Sequence, residues 1–355
     1  MHHQPGGQAY DNPAELSLQI LQAAALTGIG LTHLPVLYTY SGLQAQPLAG
    51  GQLRFGNSVD AFSDIVARSH SAMAALPSDT RIGIAPHSLR ATSQPDLRKA
   101  LDLHAGMPVH MHIAEQTKEV EEVFAMRGAR PVEWVLGQCE VNEKWCLIHA
   151  THMTEGETAA LAKSGAVAGL CPITEANLGD GIFNGANYVA HGGTFGIGSD
   201  SNVNISLTEE LRTLEYSQRL RDRQRNVMVA AAGSVGEALY FGAARGGAQA
   251  LDRDAGRIEV GALADLVAID TTDPAICALS DQQLLDGVVF DAKDTVVSDL
   301  WSAGRHQVRD RRHVADDKII SGYSKANTAL KRGLGEGVSR SNTSHRPRSP
   351  RRRRG

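Results

Sequence analysis

The sequence lacks the features of membrane-spanning, secreted and disulfide-rich proteins. Its 355 residues contain no uninterrupted apolar run of the roughly 18 residues that a membrane helix needs, so we expect no membrane span. Residues 1–6 lack the charged and then apolar pattern of a secretory signal. The four cysteines show no Cys-x-x-Cys spacing, which favours free thiols over disulfides or a zinc knuckle. We therefore expect a cytoplasmic protein with no membrane partner.

Outside its C-terminal segment, the sequence also lacks an excess of basic residues. The formal net charge is −4, and it becomes −11 when the seven arginines of residues 339–355 are set aside. This low-complexity segment cannot bury a core, so we expect a disordered tail. An arm for nucleic acid or another anionic surface is the alternative. Because nothing else in the chain is basic or aromatic in that way, we expect no nucleic-acid partner.

Apolar runs of strand length alternate with helical patterns through the first two thirds of the chain. Six runs are strand-like: 30–38, 82–87, 108–114, 146–151, 166–171 and 194–199. Helical patterns cover 13–21, 117–126 and 154–163. This alternation predicts parallel strands with right-handed crossovers, which is the α/β pattern of a (β/α)8 barrel. A closed barrel needs about eight strands, so we expect an incomplete one.

The pattern changes after about residue 225. Residues 227–250 are predicted to form a helix, 256–270 a hairpin-like unit with glycines at its turns, and 295–309 further short strands. We therefore predict a partial barrel over 1–250 and a small β appendage over 251–315. Residues 316–355 are predicted to be a C-terminal extension that ends in the arginine-rich tail.

Polar side chains follow three of the apolar runs directly. The three peptides are Val109–Gln116, Leu147–His152 and Gly196–Ser201, and their polar members are His, Glu and Asp. These side chains bind divalent metals or move protons. Because catalytic groups of a barrel come from the C-terminal ends of several strands, we expect these three peptides to form one site.

The peptides that carry the predicted site resemble those of the amidohydrolase superfamily. The quoted segments are His87–Ala91, His110–Glu119, Trp145–His152, Gly165–Gly181, Gly196–Arg223 and Gly256–Val267. Within the superfamily the resemblance is closest to enzymes of histidine degradation that hydrolyse N-formimino-L-glutamate to N-formyl-L-glutamate and ammonia. It implies a TIM-like barrel of the metal-dependent hydrolase type. It also implies one divalent ion per chain, with zinc as the first choice, and a small dicarboxylate substrate that carries a formimino group. A homodimer is left open.

The resemblance makes His112 and Asp200 metal ligands. Strand alternation places His110 and His112 on one face, with His112 nearer the C-terminal end of its strand. We therefore expect His110 to be a satisfied core histidine. For Asp200 the alternative is an N-cap of the helix that begins near Leu207.

We predict catalytic roles for Glu115, His149 and Asp200: the resemblance assigns proton transfer to Glu115, and Asp200, at the end of the last strand, can take the proton from water. A carboxyl group such as Glu115 can deliver a proton to nitrogen while water adds to carbon. Its alternative role is a carboxylate that caps the helix starting at Thr117. His149 is expected to polarise the imine or steady the attacking hydroxide, and His152 to be a supporting loop residue.

Substrate binding is assigned by the resemblance to His87 and Arg90. Arg90 can form a bidentate pair with a carboxylate, which a lysine cannot mimic; an exposed surface arginine is the alternative. Asn202 stands where some relatives carry histidine, so no role is assigned to it.

The first strand of the superfamily supplies a His-x-His pair of metal ligands, and no such peptide occurs before His110. His2 and His3 are adjacent, so on an extended strand they would point to opposite faces. By resemblance the chain begins late relative to the family, and His149 and Glu115 are candidate substitute ligands. Two alternatives stay open: another amidohydrolase deaminase, with a nucleobase or guanidino substrate, and an inactive fragment.

Overall fold

A computed structural model describes residues 2–201, 203–229 and 233–341, with side chains up to residue 332. The chain divides into two compact units, Met1–Arg311 and Arg312–Gly355. The second unit contains strand β12 (Arg312–His313) and helix α12 (Asp316–Ser341). Residues 342–355, which hold most of the arginine-rich tail, lie outside the described residues, as does Asn202. The predicted division at residues 250 and 315 stays a prediction.

The first unit is built on six parallel strand runs that lie side by side in chain order. Their elements are β1 (Thr32–His33), β2 (Val36–Leu37), β3 (Arg81–Ile82), β4 (Ala85–Pro86), β5 (Val109–Ile113), β6 (Trp145–His149), β7 (Val167–Leu170) and β8 (Thr194–Ile197). β1 pairs with β3 and β2 with β4, so these four elements form the first two predicted runs. Bridges from Ile84 to Val109 and from Ser88 to His112 join the second run to β5. β5, β6, β7 and β8 then pair in parallel.

Alternation along β5 shows how the sequence sets the two faces of this sheet. Val109, Met111 and Ile113 are buried in the main apolar core, which also contains residues from every neighbouring run. His110 and His112 occupy the opposite face and are only partly buried. The period of two therefore places both imidazoles on one side of the strand, as predicted.

Helices connect the strands and cover the apolar face. They are α1 (Glu15–Thr27), α2 (Val59–Ala72), α3 (Gln94–Leu103), α4 (Thr117–Arg127), α5 (Pro131–Gln138), α6 (Glu155–Ser164), α7 (Pro172–Leu178), α8 (Gly185–Ala190), α9 (Leu207–Asp222) and α10 (Val235–Ala250). Short 3-10 segments lie at Gly50–Arg54, Met73–Ala75, Asp281–Gln283 and Asp294–Val296. Serine or threonine side chains cap several helix starts, including α2, α3, α6, α9 and α10.

Helix α10 packs closely against β8 and starts later than predicted. A Cβ atom on Gly246 would lie 1.9 Å from the carbonyl oxygen of Phe195, so this approach requires glycine. The predicted helix start at Val227 was wrong, because α10 begins at Val235 behind the N-cap Ser234. The backbone N–H groups of Val227 and Met228 instead donate to the buried carboxylate of Glu215.

A small antiparallel sheet follows the barrel strands within the first unit. It contains β9 (Leu266–Ile269), β10 (Val297–Ser302) and β11 (Arg305–Arg309), with α11 (Leu284–Phe290) between β9 and β10. The predicted hairpin over 256–270 was wrong: β9 pairs with β10, and 256–265 forms turns and loops. Ile258 and Val260 in those loops are fully exposed, so they provide no apolar face to hold a local strand pair.

In the residues that the structure describes, the six parallel runs with intervening helices have the architecture of a (β/α)8 barrel with two strands fewer. Within the described residues, no strand pairing joins the first run to β8. The predicted incomplete TIM-like barrel with a small β appendage is confirmed. In the described part of the chain no helix is long and apolar enough to cross a membrane.

Candidate active site

Three imidazoles meet at the C-terminal ends of neighbouring strands. His87 directly follows β4, His112 lies near the end of β5, and His149 ends β6. The ring centroids of His87 and His112 are 4.7 Å apart and stacked, and those of His112 and His149 are 5.6 Å apart. The strand ends therefore bring together side chains that are 25 or more residues apart in sequence.

His112 has the arrangement of a metal-ligating histidine. Its Nδ1 atom lies 2.9 Å from the carbonyl oxygen of His87, so Nδ1 carries the proton and Nε2 keeps its lone pair. In the described structure no hydrogen bond is made to Nε2. Burial lowers the pKa of His112, which keeps the ring neutral, as a metal ligand must be.

Glu115 lies between a cationic side chain and an imidazole. Its Oε2 atom is 3.7 Å from Nη2 of Arg90, and its Oε1 atom is 3.9 Å from Nε2 of His149. The backbone N–H of Glu115 donates to the carboxylate of Glu119 at 3.2 Å, which holds the turn after β5. The alternative of a helix cap is wrong, because the N-cap of α4 is Gln116 and no side chain caps that end.

His149 is fully buried and held by a second buried side chain. Its Nδ1 atom lies 3.2 Å from Oε1 of Glu175, and the same oxygen accepts the backbone N–H of Cys171 at 2.9 Å. Burial lowers the pKa of His149, but the hydrogen bond to Glu175 and the charges of Glu175, Glu115 and Asp200 raise it above its ordinary value. The sequence reasoning missed Glu175, which lies four residues after the end of the predicted buried strand 166–171, on α7.

Asp200 follows β8 and is held much less firmly. Its side chain is exposed, its backbone has a φ of 46°, and no hydrogen bond to its carboxylate is found in the described structure. Its negative charge nevertheless opposes the lowering of the pKa of His112 by burial, and it contributes to the raised pKa of His149 after Glu175 and Glu115. The alternative of an N-cap is wrong: Ser206 caps α9 and accepts the N–H of Glu209 at 3.2 Å.

The two predicted substrate-binding residues lie beside this group. Burial, followed by the charges of His112 and Arg90, lowers the pKa of His87 to about 3, so this ring is neutral at physiological pH. The side chain of Arg90 is 34% exposed, and its Nε atom is buried without a hydrogen-bond partner among the described residues. Arg90 is therefore not a freely exposed surface arginine, and it has donors available for a ligand.

The other two histidines of these peptides are used by the fold. Nε2 of His110 lies 2.7 Å from the carbonyl oxygen of Ala250 at the end of α10. His152, in the loop after β6, lies 2.6 Å from the carbonyl oxygen of Asp180. Both contacts agree with the supporting roles that the sequence predicts.

The side chains at these strand ends can bind a divalent metal ion, but they provide fewer ligands than such an ion usually has. His112 offers a free imidazole nitrogen and Asp200 a carboxylate. In the described part of the chain, no group of three or more His, Cys, Asp or Glu side chains is placed to hold a metal ion. A catalytic zinc usually has about three protein ligands, so the described residues fit part of such a site.

An incomplete parallel α/β barrel with imidazoles and carboxylates at its C-terminal strand ends defines a metal-dependent hydrolase type of site. Residues 63–306 match the model of the Amidohydrolase family. A formimidoylglutamate deiminase of Pseudomonas aeruginosa is 46% identical over 325 residues, which cover 91% of this chain and 71% of that protein. The chain belongs to the amidohydrolase family.

Solved structures show the same relationship. An amidohydrolase from Brucella melitensis superposes with a TM-score of 0.88 and 44% identity, covering 93% of this chain and 72% of that one. A more distant structure, an adenosine deaminase from Xanthomonas campestris with bound zinc, has a TM-score of 0.74 and 22% identity, covering 92% of this chain and 70% of that one. The distant structure shares the fold.

Proposed function

We propose that this protein hydrolyses N-formimino-L-glutamate to N-formyl-L-glutamate and ammonia. The observation that carries the proposal is the arrangement of Glu115 between Arg90 and His149 at adjoining strand ends. A carboxyl group, a carboxylate-binding guanidinium and an imidazole are the groups that this substrate and this reaction need. The strong similarity to a formimidoylglutamate deiminase supports the same substrate.

Hydrolysis of a formimino group requires controlled proton transfer. The oxygen of water bonds to the formimino carbon, protons move to the terminal nitrogen, and the carbon–nitrogen bond breaks to release ammonia. In the proposal Asp200 takes the proton from water and Glu115 delivers a proton to nitrogen. His149, held with Nε2 towards Glu115, polarises the imine or steadies the attacking oxygen.

The substrate has carboxylates that need cationic or hydrogen-bonding partners. Arg90 presents a fork of N–H donors that suits a carboxylate, and its buried Nε atom has no partner among the described residues. His87 lies next to it and is stacked on His112, so it can contact the same ligand. We therefore assign substrate binding to His87 and Arg90.

The proposal includes one divalent metal ion, zinc in the first place, with His112 and Asp200 as ligands from this chain. When bound, such an ion would lower the pKa of its water molecule to about 7. The free Nε2 atom of His112 and the exposed carboxylate of Asp200 support this assignment. A cytoplasmic location is also proposed, because the four cysteines are free thiols in the structure.

The test is ammonia release from N-formimino-L-glutamate, followed with glutamate dehydrogenase and NADH. Protein loaded with zinc is expected to release ammonia, and protein treated with a chelator is expected to be inactive. Adenine, adenosine and a guanidino compound serve as comparison substrates. Release from one of these but not from N-formimino-L-glutamate would contradict the proposed substrate. A folded, zinc-loaded chain that releases ammonia from none of them would contradict the proposed activity.

A further inference from the structure

A buried carboxylate on α7, the helix that follows β7, contacts the central imidazole of the candidate site. Glu175 is 4% exposed and His149 is 1% exposed, so water competes little for this hydrogen bond. The contact joins Oε1 of Glu175 to Nδ1 of His149 at 3.2 Å. Low local polarity strengthens such a bond and makes an unpaired partner costly.

The two nitrogens of His149 face different surroundings. Nδ1 faces Glu175, whereas Nε2 faces Glu115 at 3.9 Å. A carboxylate can only accept, so it requires a proton on Nδ1. In the neutral ring Nε2 is then the nitrogen with a lone pair, and it points towards the reacting groups.

The backbone at the same place has a conformation that its surroundings must hold. His149 has a φ of 68° and the next residue, Ala150, a φ of 48°, both in the left-handed region that non-glycine residues rarely adopt. Strained residues of this kind persist where the surroundings hold them. Glu175 also accepts the N–H of Cys171, which fixes its own carboxylate at the end of β7.

We propose that Glu175 is a positioning residue that fixes the orientation and the tautomer of His149. The role rests on the proposed function, in which His149 acts on the reacting carbon. Glu175 acts through the imidazole, whose Nδ1 atom it contacts on the side away from Glu115. The carboxyl end of β7 therefore contributes to catalysis without providing a group that reacts.

Two variants of Glu175 distinguish the loss of a hydrogen-bond acceptor from the loss of a negative charge. Oε1 of Glu175 accepts both hydrogen bonds, so glutamine in Glu175→Gln can keep both with its amide oxygen. Alanine in Glu175→Ala removes both. Glu215→Ala is the matched control: Glu215 is a fully buried carboxylate that accepts the N–H groups of Val227 and Met228.

Steady-state kinetics give the first readout. We expect kcat to fall about 100-fold in Glu175→Ala with KM changed by less than about threefold, in line with the loss of a partner that orients a functional histidine. Glu175→Gln is expected to recover kcat to within about tenfold of the unchanged protein. Glu215→Ala is expected to lower the melting temperature without changing kcat. An unchanged kcat in Glu175→Ala, or equal losses in the alanine and glutamine variants, would overturn the proposal.

The second readout does not need activity. In protein labelled with 15N-histidine, long-range NMR spectra report which nitrogen of His149 is protonated, and a His149→Asn sample assigns the signals. At a pH high enough for the ring of His149 to be neutral, we expect the Nδ1–H form in the unchanged protein and in Glu175→Gln, and a mixture of tautomers in Glu175→Ala. The same tautomer in all three would overturn the proposal. If the unchanged protein releases no ammonia, the proposed function fails, while these spectra still decide the role of Glu175.

Discussion

The strand ends of the candidate site are held in two different ways. On the side of β5 and β6, His112 is fixed by a backbone carbonyl, His149 by Glu175, and Glu115 lies between Arg90 and His149. On the side of β8, Asp200 is exposed and its carboxylate has no hydrogen bond within the described structure. The first side is pre-organised, so its groups need little rearrangement during a reaction. On the β8 side, we expect the position of the Asp200 side chain to become fixed when a ligand or metal ion binds.

The largest effect is expected for Asp200→Asn, which tests the loosely held side. Because this carboxylate takes a proton and binds metal in the proposal, kcat should fall about 1000-fold or more. Its exposure implies almost no loss of stability, with a melting temperature within about 2 °C of the unchanged protein. Ammonia release and calorimetry measure the two quantities.

His149→Asn is the variant to compare with Asp200→Asn. Here a fully buried ring and its bond to Glu175 are lost, so both activity and melting temperature should fall. If Asp200→Asn lowers the melting temperature as much as His149→Asn does, the distinction between the two sides is wrong.

The next effect is expected for Glu115→Gln, on the firmly held side. Unlike a carboxyl group, the glutamine amide cannot take up and release a proton at neutral pH. We therefore expect kcat to fall about 100-fold or more while KM changes little. Glu121→Gln, an exposed position on α4, is the control and should leave both constants unchanged. A Glu115→Gln protein with full kcat would remove Glu115 from the proton-transfer path.

The strands and most of the site could be predicted from the sequence because their signals are local. Each apolar run gives a strand, and alternation places His110 and His112 on one face of β5. The hairpin over 256–270 could not be predicted correctly, because its pattern does not reveal that β9 pairs with β10, which lies some thirty residues later. Strand pairing of this kind depends on tertiary packing.

The partners that hold the site were harder to predict than the site itself. Glu175 lies 26 residues from His149, and nothing in its own peptide shows which side chain it contacts. The same holds for Glu119, whose spacing from Glu115 suits a helix surface, although its carboxylate turns back to the backbone N–H of Glu115. Such hydrogen bonds depend on how helices α4 and α7 pack beside the strand ends, and no periodic pattern in the sequence reveals them.

A smaller effect is expected for Arg90→Met, which removes the guanidinium next to Glu115. Loss of a charged hydrogen bond of about 1.5–3 kcal/mol should raise KM for N-formimino-L-glutamate roughly 10- to 100-fold. Arg68→Met, an exposed arginine on α2, should leave KM unchanged. An unaltered KM in Arg90→Met would indicate a substrate without a carboxylate at this position, such as a nucleobase.

The smallest effect is expected for Glu210, a buried carboxyl on α9 that contacts the start of α7. Its Oε2 atom accepts the N–H of Ile173 at 2.8 Å, and its Oε1 atom is buried without a partner in the described structure. Burial raises the pKa of Glu210 to about 7, with further contributions from the charges of Glu175 and Asp200. In the unfolded chain the same group titrates near 4.3, its reference value.

The folded protein therefore binds this proton more tightly than the unfolded chain does. Its stabilising contribution is complete below about pH 4.3 and is lost as the pH rises through about 7. Urea unfolding of metal-free protein measures this effect. Between pH 5 and pH 8 the free energy of unfolding of Glu210→Gln should rise by about 2 kcal/mol relative to that of the unchanged protein. Glu209→Gln, the more exposed neighbour, should show no such gain. Parallel pH profiles for Glu210→Gln and the unchanged protein would mean that the carboxyl is already ionised in the folded protein. The β8 side would then be better solvated than its packing indicates.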